Sequence, residues 1–131
     1  MAFYVLTPSQ SAPDLLAWPP LRVYDNDTGA QWLAIVNLVY LEGKVNYTWL
    51  HWADGRRILV PYTLKRLEAQ LPTPCFVRLH RHLLVNQLFI HSVKITANKP
   101  LFSLLTGTSL PVSRRRWAIL RQDLILRWVA D

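Results

Sequence analysis

The stretch FVRLHRHLLVNQLFI, residues 76–90, places four basic or titratable side chains among leucines and valines. These four are Arg78, His80, Arg81 and His82. In a strand, His80 and His82 would lie on one face, because successive side chains alternate between the two faces. A metal site, a catalytic cluster, a nucleic-acid surface and structural polar contacts would each explain such a pattern. The rest of the chain decides among these four explanations.

Few residues are present to complete a metal or catalytic site. A zinc site needs three or four ligands, and the remaining candidates are His51, His91 and the single cysteine, Cys75. The chain contains no G-x-S-x-G, P-loop or H-E-x-x-H motif. We therefore expect neither an enzyme nor a metal or cofactor site. The simplest interpretation of His80 is a structural histidine that donates to a backbone carbonyl group.

Composition and charge favour a polyanionic partner. The 131 residues are 51% hydrophobic and 11% aromatic, which suits one packed domain. The net charge is +7, and residues 55–131 hold thirteen of the fifteen Lys and Arg but three of the eight acidic residues. Such a basic half favours nucleic acid or an anionic membrane surface as a partner. The alternative is a solvated basic surface that keeps an aromatic-rich protein in solution.

The first twenty residues differ from the remainder in composition. They contain Pro8, Pro13, Pro19 and Pro20, and we expect an irregular N-terminal arm over residues 1–20, followed by one domain over residues 21–131. Neither a signal peptide nor an apolar run of membrane-spanning length is visible, so we expect a cytoplasmic protein without membrane insertion.

Short apolar runs separated by turn signals predict a mainly β fold with short helices. Ala53-Asp54-Gly55 is typical of a hairpin turn between strands in residues 47–60. Thr63 can cap a helix that Pro72 stops, and Ser113 can cap a final helix through the end of the chain. Arginines 114–116 follow Ser113 directly, and a helix N-terminus with adjacent Arg can bind phosphate. The alternative for this run is a solvated helix face.

In order, these segments resemble the LytTR-type DNA-binding domain of bacterial transcription regulators. The resemblance rests on NLVYLEGKVNYTWLHWADGRRILVPYTLKRLEAQLP, then FVRLHRHLLVNQLFIHSV, then LPVSRRRW, and it covers residues 21–128. It implies an elongated arrangement of several small antiparallel β-sheets with short helices. It also implies that loops, rather than a recognition helix, are inserted into successive major grooves of double-stranded DNA.

The resemblance assigns contact residues to three loops. These loops are the Lys44–Asn46 turn, the Pro61–Lys65 start of the first helix, and the Ser113–Arg115 start of the last helix. The implied DNA-binding residues are Lys44, Asn46, Thr63, Lys65, Arg81, Ser113, Arg114 and Arg115. Among them Asn46, Thr63 and Arg115 correspond to base-contacting positions, since Asn pairs with adenine and Arg with guanine in the major groove.

The resemblance also assigns scaffold roles, and this chain departs from the family in two ways. It makes His80 a structural contact and Arg78 and Arg81 surface charges, with Arg81 the better phosphate ligand. His82 stands where the family usually has Ser. About twenty residues precede the domain, where many members carry a receiver domain, so we expect no control by phosphorylation in cis.

Two functions from different classes follow from these observations. The first is a sequence-specific transcription regulator that binds DNA with direct-repeat-like half-sites, with two copies on one operator as a homodimer on DNA. The second is a protein-interaction module of a signalling system with weak or lost DNA binding, in which the apolar last helix pairs with a regulatory protein partner. Retention on DNA at physiological salt discriminates between them.

Overall fold

The computed structural model of this chain describes residues 2–6, 20–25, 29–72, 75–97, 99–123 and 126–129. Within these residues the order of elements is β1 (Ala2–Leu6), β2 (Leu21–Asp25), β3 (Gly29–Leu33), β4 (Leu38–Gly43), β5 (Thr48–Trp52), β6 (Arg57–Val60), α1 (Leu64–Gln70), β7 (Phe76–His80), β8 (Leu83–Asn86), β9 (Ile90–Thr96), β10 (Lys99–Leu104), β11 (Ser109–Pro111), α2 (Arg114–Asp123) and β12 (Leu126–Val129). A single 3-10 turn, Gln87–Phe89, links β8 to β9.

The central sheet has the antiparallel order β6-β5-β4-β8-β7. Every side chain of β8 is buried, because both faces of the sheet are covered at this strand. Leu84 points into one hydrophobic core, whereas Leu83 and Val85 belong to a second core. Because both faces are covered, the sequence LLVN does not alternate apolar and polar residues as a half-exposed strand does.

The first core lies between the central sheet and two smaller elements. Helix α1 contributes Leu64 and Leu67, and the two-stranded sheet β2-β3 contributes Leu21 and Val23. The spacing of Leu64 and Leu67 places both on one face of the short helix. Burying this face is what holds a seven-residue helix in place, since isolated helices of that length are unstable in water.

The second core joins the central sheet to a five-stranded antiparallel sheet of order β11-β10-β9-β1-β12. Helix α2 closes it with Trp117 and Leu120, both buried. The ring of Trp117 meets Phe102 edge-on, with centroids 6.2 Å apart. This geometry is favourable for aromatic pairs and fixes α2 against β10.

Buried Asn86 ties the end of β8 to β4 and to the 3-10 turn that follows β8. Its amide nitrogen donates to the carbonyl of Leu38 at 3.0 Å, and its side-chain oxygen accepts from the backbone N–H of Leu88 at 3.0 Å. A fully buried amide must have such partners, because an unpaired polar group in a core costs about 1–3 kcal/mol. Asn86 therefore sets where β8 ends beside β4.

The expected fold class, small antiparallel sheets with short helices, is confirmed. The structure differs from expectation at both ends of the chain: Ala2–Leu6 form a strand paired with β9 and β12 rather than irregular structure, and α2 ends at Asp123, with strand β12 beyond it. The remainder of the expected arm, residues 7–19, lies outside the described residues, as do residues 124–125 of the expected last helix.

Candidate nucleic-acid interface

The β4–β5 turn presents Lys44 and Asn46 to solvent. The backbone N–H of Lys44 donates to the carbonyl of Tyr47 at 2.8 Å, which closes the turn, and residues 44–47 are all exposed. The Lys44 ammonium lies 3.8 Å from the carboxylate of Glu42. An exposed pair of this kind is weak, so it leaves the ammonium free to exchange partners.

The start of α1 lies directly against this turn. Thr48 donates its hydroxyl to the carbonyl of Tyr62 at 2.8 Å, and a Cβ atom added at Gly43 would lie 3.0 Å from Cβ of Leu64. Thr63 caps the helix, since its hydroxyl oxygen accepts from the N–H of Arg66 at 3.2 Å. Thr63 and the neighbouring Lys65 are both exposed.

The β7–β8 turn adjoins the other side of the β4–β5 turn. Gly43 donates its N–H to the carbonyl of His82 at 2.8 Å. Arg81 and His82 are exposed at the tip, and Nε of Arg81 donates to Nε2 of His82 at 3.1 Å. A guanidinium is always a donor, so this nitrogen of His82 carries no proton in the observed geometry.

Arg78 holds this turn from behind. Its Nε donates to the carbonyl of His80 at 2.9 Å, one terminal nitrogen donates to the carbonyl of Arg81 at 2.6 Å, and the other pairs with Glu68 of α1. With a side chain 15% exposed, Arg78 is a structural clamp. The expectation that it is a surface charge is wrong, because its donors are used internally.

The start of α2 lies next to β7. The N–H of Ser113 donates to the carbonyl of Leu79 at 3.1 Å, and its hydroxyl oxygen accepts from the N–H of Arg116 at 3.2 Å. Ser113 therefore caps α2, as the sequence predicted. The three arginines that follow are exposed, whereas Trp117 turns inward.

These contacts join four loops into one continuous strip. We call it the basic edge and define it as residues 44–47, 61–66, 80–82 and 113–116. It brings together all the residues that the resemblance assigned to DNA: Lys44, Asn46, Thr63, Lys65, Arg81, Ser113, Arg114 and Arg115. The sequence reasoning missed Arg66, which lies 4.5 Å above the ring of Tyr62 and adds a further cation. Its position beside Lys65 in the first helical turn was the available signal.

Carboxylates near the basic edge are already engaged. Glu68 pairs with Arg78, and Glu42 lies between Lys44 and His51. Burial lowers the pKa of His51, an effect that Glu42 opposes, and its ring stacks on Tyr40 with centroids 4.1 Å apart. An uncharged His51 ring leaves the negative charge of Glu42 without compensation from this neighbour. The exposed cations nevertheless outnumber these two acids, so the edge attracts polyanions.

Other kinds of site are not assembled in the described part of the chain. No group of three or more His, Cys, Asp or Glu side chains converges there in a way that would hold a metal ion. Among the described helices, none has the length and apolar character needed to cross a bilayer.

A fold of stacked small sheets that gathers cations and capping hydroxyls from four loops at one edge defines a nucleic-acid-binding module. The LytTr DNA-binding domain family matches residues 31–125, and the chain belongs to this family. It is a DNA-binding domain. A solved structure similar to it is the LytTr DNA-binding domain of a protein assigned as a methyl-accepting/DNA response regulator from Bacillus cereus. That structure is 26% identical, with a TM-score of 0.67, and the match covers 79% of this chain and 94% of that one. The comparison with curated proteins found no match.

Proposed function

We propose that this chain is a sequence-specific double-stranded DNA-binding regulator of transcription that reads major grooves with the loops of its basic edge. The observation that carries the proposal is a set of three hydrogen bonds that ties the loops together. The Thr48 hydroxyl donates to the carbonyl of Tyr62, the N–H of Gly43 donates to the carbonyl of His82, and the N–H of Ser113 donates to the carbonyl of Leu79. Loops fixed to rigid sheets can keep base-contacting side chains at a constant spacing along the groove.

Three residues are suited to reading bases. The Asn46 amide can pair with N6 and N7 of adenine, and the Arg115 guanidinium can pair with O6 and N7 of guanine. Thr63 offers a methyl group for thymine and a hydroxyl for a phosphate. All three are exposed on separate loops of the basic edge, so each would address a different base step.

The remaining assigned residues suit phosphate binding. Lys44, Lys65, Arg81 and Arg114 supply positive charge. Ser113 uses an oxygen lone pair to cap α2, which leaves its hydroxyl hydrogen available to donate to a phosphate oxygen. Contacts of this type set the position of a protein on DNA without selecting sequence.

The interaction-module alternative loses its main support. It relied on a long apolar last helix, yet α2 ends at Asp123 and spends Trp117 and Leu120 on the protein's own core. Ile119, 49% exposed, is a large apolar side chain that remains on the outer face of the described helix. The alternative built on the last helix gives no role to the basic edge, whereas DNA binding requires such a surface.

The test begins with selection of duplexes from a random library by the whole chain, followed by competition at physiological salt. We expect enrichment of a defined sequence. If about five phosphates are contacted, the log–log dependence of affinity on salt should have a slope of roughly −4 to −5. No retention on any duplex at low salt, or a slope near zero, would refute DNA binding; retention without enrichment would refute sequence specificity.

Three arginine variants then test the assignment within the last loop. Arg115→Ala should cost about 1–3 kcal/mol on the selected site and flatten the preference at one base pair. Arg114→Ala should weaken all sequences alike and reduce the salt slope by about one. Arg116→Ala should have the smallest effect, because Arg116 lies a further 100° around the helix. Loss of base preference in Arg116→Ala instead of Arg115→Ala would shift the assignment by one residue.

A further inference from the structure

His82 occupies an unusual position on the basic edge. Its ring is exposed at the tip of the β7–β8 turn, and its centroid lies 5.5 Å from that of His80. The two histidines, Lys44 and Tyr40 help to line a cleft of about 420 Å³ that opens beside the β4–β5 turn. A phosphate bound at this end of the edge would meet His82 as well as the assigned cations.

The surroundings of His82 are predominantly cationic. Its own turn and β7 supply Arg78, His80 and Arg81, and β4 with its turn supplies Lys44 and Glu42. From β11 the cleft receives Leu110 and Pro111, which carry no charge. The carboxylate, Glu42, lies beside Lys44 and His51. The cations around it thus oppose protonation of His82 in the absence of an anion.

We propose that His82 is a phosphate-binding residue of the basic edge whose protonation is coupled to DNA binding, so that affinity for DNA rises as the pH falls. This inference rests on the proposed function, because it takes the basic edge as the surface that meets DNA. The ligand is a backbone phosphate of duplex DNA, and a phosphate carries no base identity. Protonation of His82 therefore affects all sequences alike.

A single proton would change two contacts. In the observed geometry Nε2 of His82 accepts from Nε of Arg81. When Nε2 gains a proton it can no longer accept, so the Arg81 guanidinium is released and the imidazolium itself becomes a donor. Both groups are then free to donate to the same phosphate or to adjacent phosphates. Charge-assisted hydrogen bonds of this kind are stronger than neutral ones.

The direction of the pH effect follows from linkage. Desolvation, and then electrostatic repulsion from Arg81 and the other neighbouring basic groups, lower the pKa of His82 in the free protein. A bound phosphate raises that pKa, because it favours the charged ring. The gain in affinity is complete below the free-state pKa and is lost as the pH rises through the DNA-bound pKa. One proton limits the effect to about tenfold per pH unit.

The experiment measures dissociation constants for a fluorescent duplex between about pH 5.5 and pH 8 at constant ionic strength, the range in which histidine titrates. The wild-type chain should bind several-fold more tightly at the acidic end. His82→Gln should bind at the wild-type alkaline level throughout, and His82→Arg should bind tightly without pH dependence. His91→Gln is the matched control, and its affinity for the duplex should vary with pH as that of the wild type does. His91 is exposed near the start of β9. The start of α2 lies at the opposite end of that sheet, where the N–H of Val112 donates to the carbonyl of Pro100.

A direct measurement completes the test. The histidine ring resonances in NMR spectra should give a higher pKa for His82 with the duplex bound than without it. An unchanged pH dependence in His82→Gln, or an unchanged pKa on binding, would overturn the proposal even though DNA binding remains. Salt-dependent binding that does not vary with pH would overturn this inference alone. Absence of binding at every pH would overturn the proposed function as well.

Discussion

Arginine serves two different purposes within four residues of the β7–β8 turn. Arg78 uses its guanidinium fork on two backbone carbonyls and on Glu68, whereas Arg81 extends its side chain toward solvent. The fork geometry matters, because an ammonium cannot reach three acceptors arranged in this plane. The shape of the turn that carries Arg81 and His82 therefore depends on Arg78.

Replacing Arg78 tests this dependence. Arg78→Ala leaves Glu68 and two carbonyl oxygens without their donor, and we expect the free energy of unfolding to fall by about 2–3 kcal/mol. Arg78→Lys should recover only part of that loss. Urea unfolding measures both. Arg81→Ala is the matched control: stability should stay within about 0.5 kcal/mol of the wild type while DNA binding weakens for all sequences. Equal stability of the two alanine variants would show that Arg78 is not a clamp.

At this scale the sequence predicts residue types better than residue partners. The alternation of FVRLH marks a strand, and exposed cations after Ser113 follow from the cap that Ser113 provides. Nothing local indicates that Arg78 meets Glu68, because that pairing arises when α1 packs over the central sheet. The sequence resemblance favours Arg81 over Arg78 as a phosphate ligand, but the clamp formed by Arg78 follows only from the fold.

At the level of secondary structure, the two helices begin on the basic edge in the same way. Thr63 and Ser113 each accept one backbone N–H with a side-chain oxygen. The cap serves stability, whereas in the proposed function the remaining hydroxyl hydrogen and the local charge bind DNA. The two contributions can be separated by substitution.

Ser113 offers the cleaner separation. Ser113→Ala removes the cap and should lower the free energy of unfolding by about 1 kcal/mol, with some loss of DNA affinity. Ser113→Asp keeps a strong capping side chain and favours the helix dipole, so stability should be retained or improved. In the proposed function its negative charge would face the DNA backbone, and binding should nearly vanish. Thermal melts and binding assays check both variants; normal DNA affinity in Ser113→Asp would place α2 outside the interface.

The contact between the β4–β5 turn and α1 gives another prediction. Gly43→Ala would place a Cβ atom 3.0 Å from Cβ of Leu64, and neither atom is a flexible side-chain end. We expect about 1–3 kcal/mol of destabilisation and weaker DNA binding, because the turn that carries Asn46 must move away from Thr63. Val45→Ala, in the same turn at a side chain 86% exposed, is the control and should leave stability unchanged. Unfolding and binding measurements on both variants test this prediction. Equal stability and equal DNA affinity of Gly43→Ala and Val45→Ala would contradict it.

The elements that sequence patterns predicted are those stabilised by local signals. Thr63 and Pro72 bound α1, and Asp54-Gly55 marks the β5–β6 hairpin, in which Gly55 has a φ of 90° that glycine adopts without strain. Strands β1 and β12 have no such signals. They pair with each other and β1 pairs with β9, contacts that join residues more than eighty positions apart. A four-residue run such as LRWV reads equally well as helix or strand until its partner is known.

Over the whole molecule, the two cores hold the two helices that begin on the basic edge against the central sheet. The first core fixes α1 to the central sheet, the second fixes α2 to it, and β4 and β8 lie between them. The sequence resemblance identified the candidate residues, yet their adjacency follows from long-range sheet pairing, which no local pattern contains. In the proposed function, the spacing of the loops along DNA is consequently set by the stacked sheets rather than by any single loop.

One such module is small and can cover only a short stretch of DNA. A single domain buries about 600–1,000 Å² on DNA, which limits its specificity, so we expect two copies on one operator with half-sites about one helical turn apart. That spacing places both basic edges on the same face of the duplex. Inserting about half a turn between half-sites rotates one copy to the opposite face and should weaken binding sharply, whereas a whole-turn insertion should restore part of it. Titrations of the three duplexes, with analytical ultracentrifugation of each complex, measure affinity and stoichiometry. Equal affinity for all three would mean that the copies bind independently and that each basic edge reads its half-site alone.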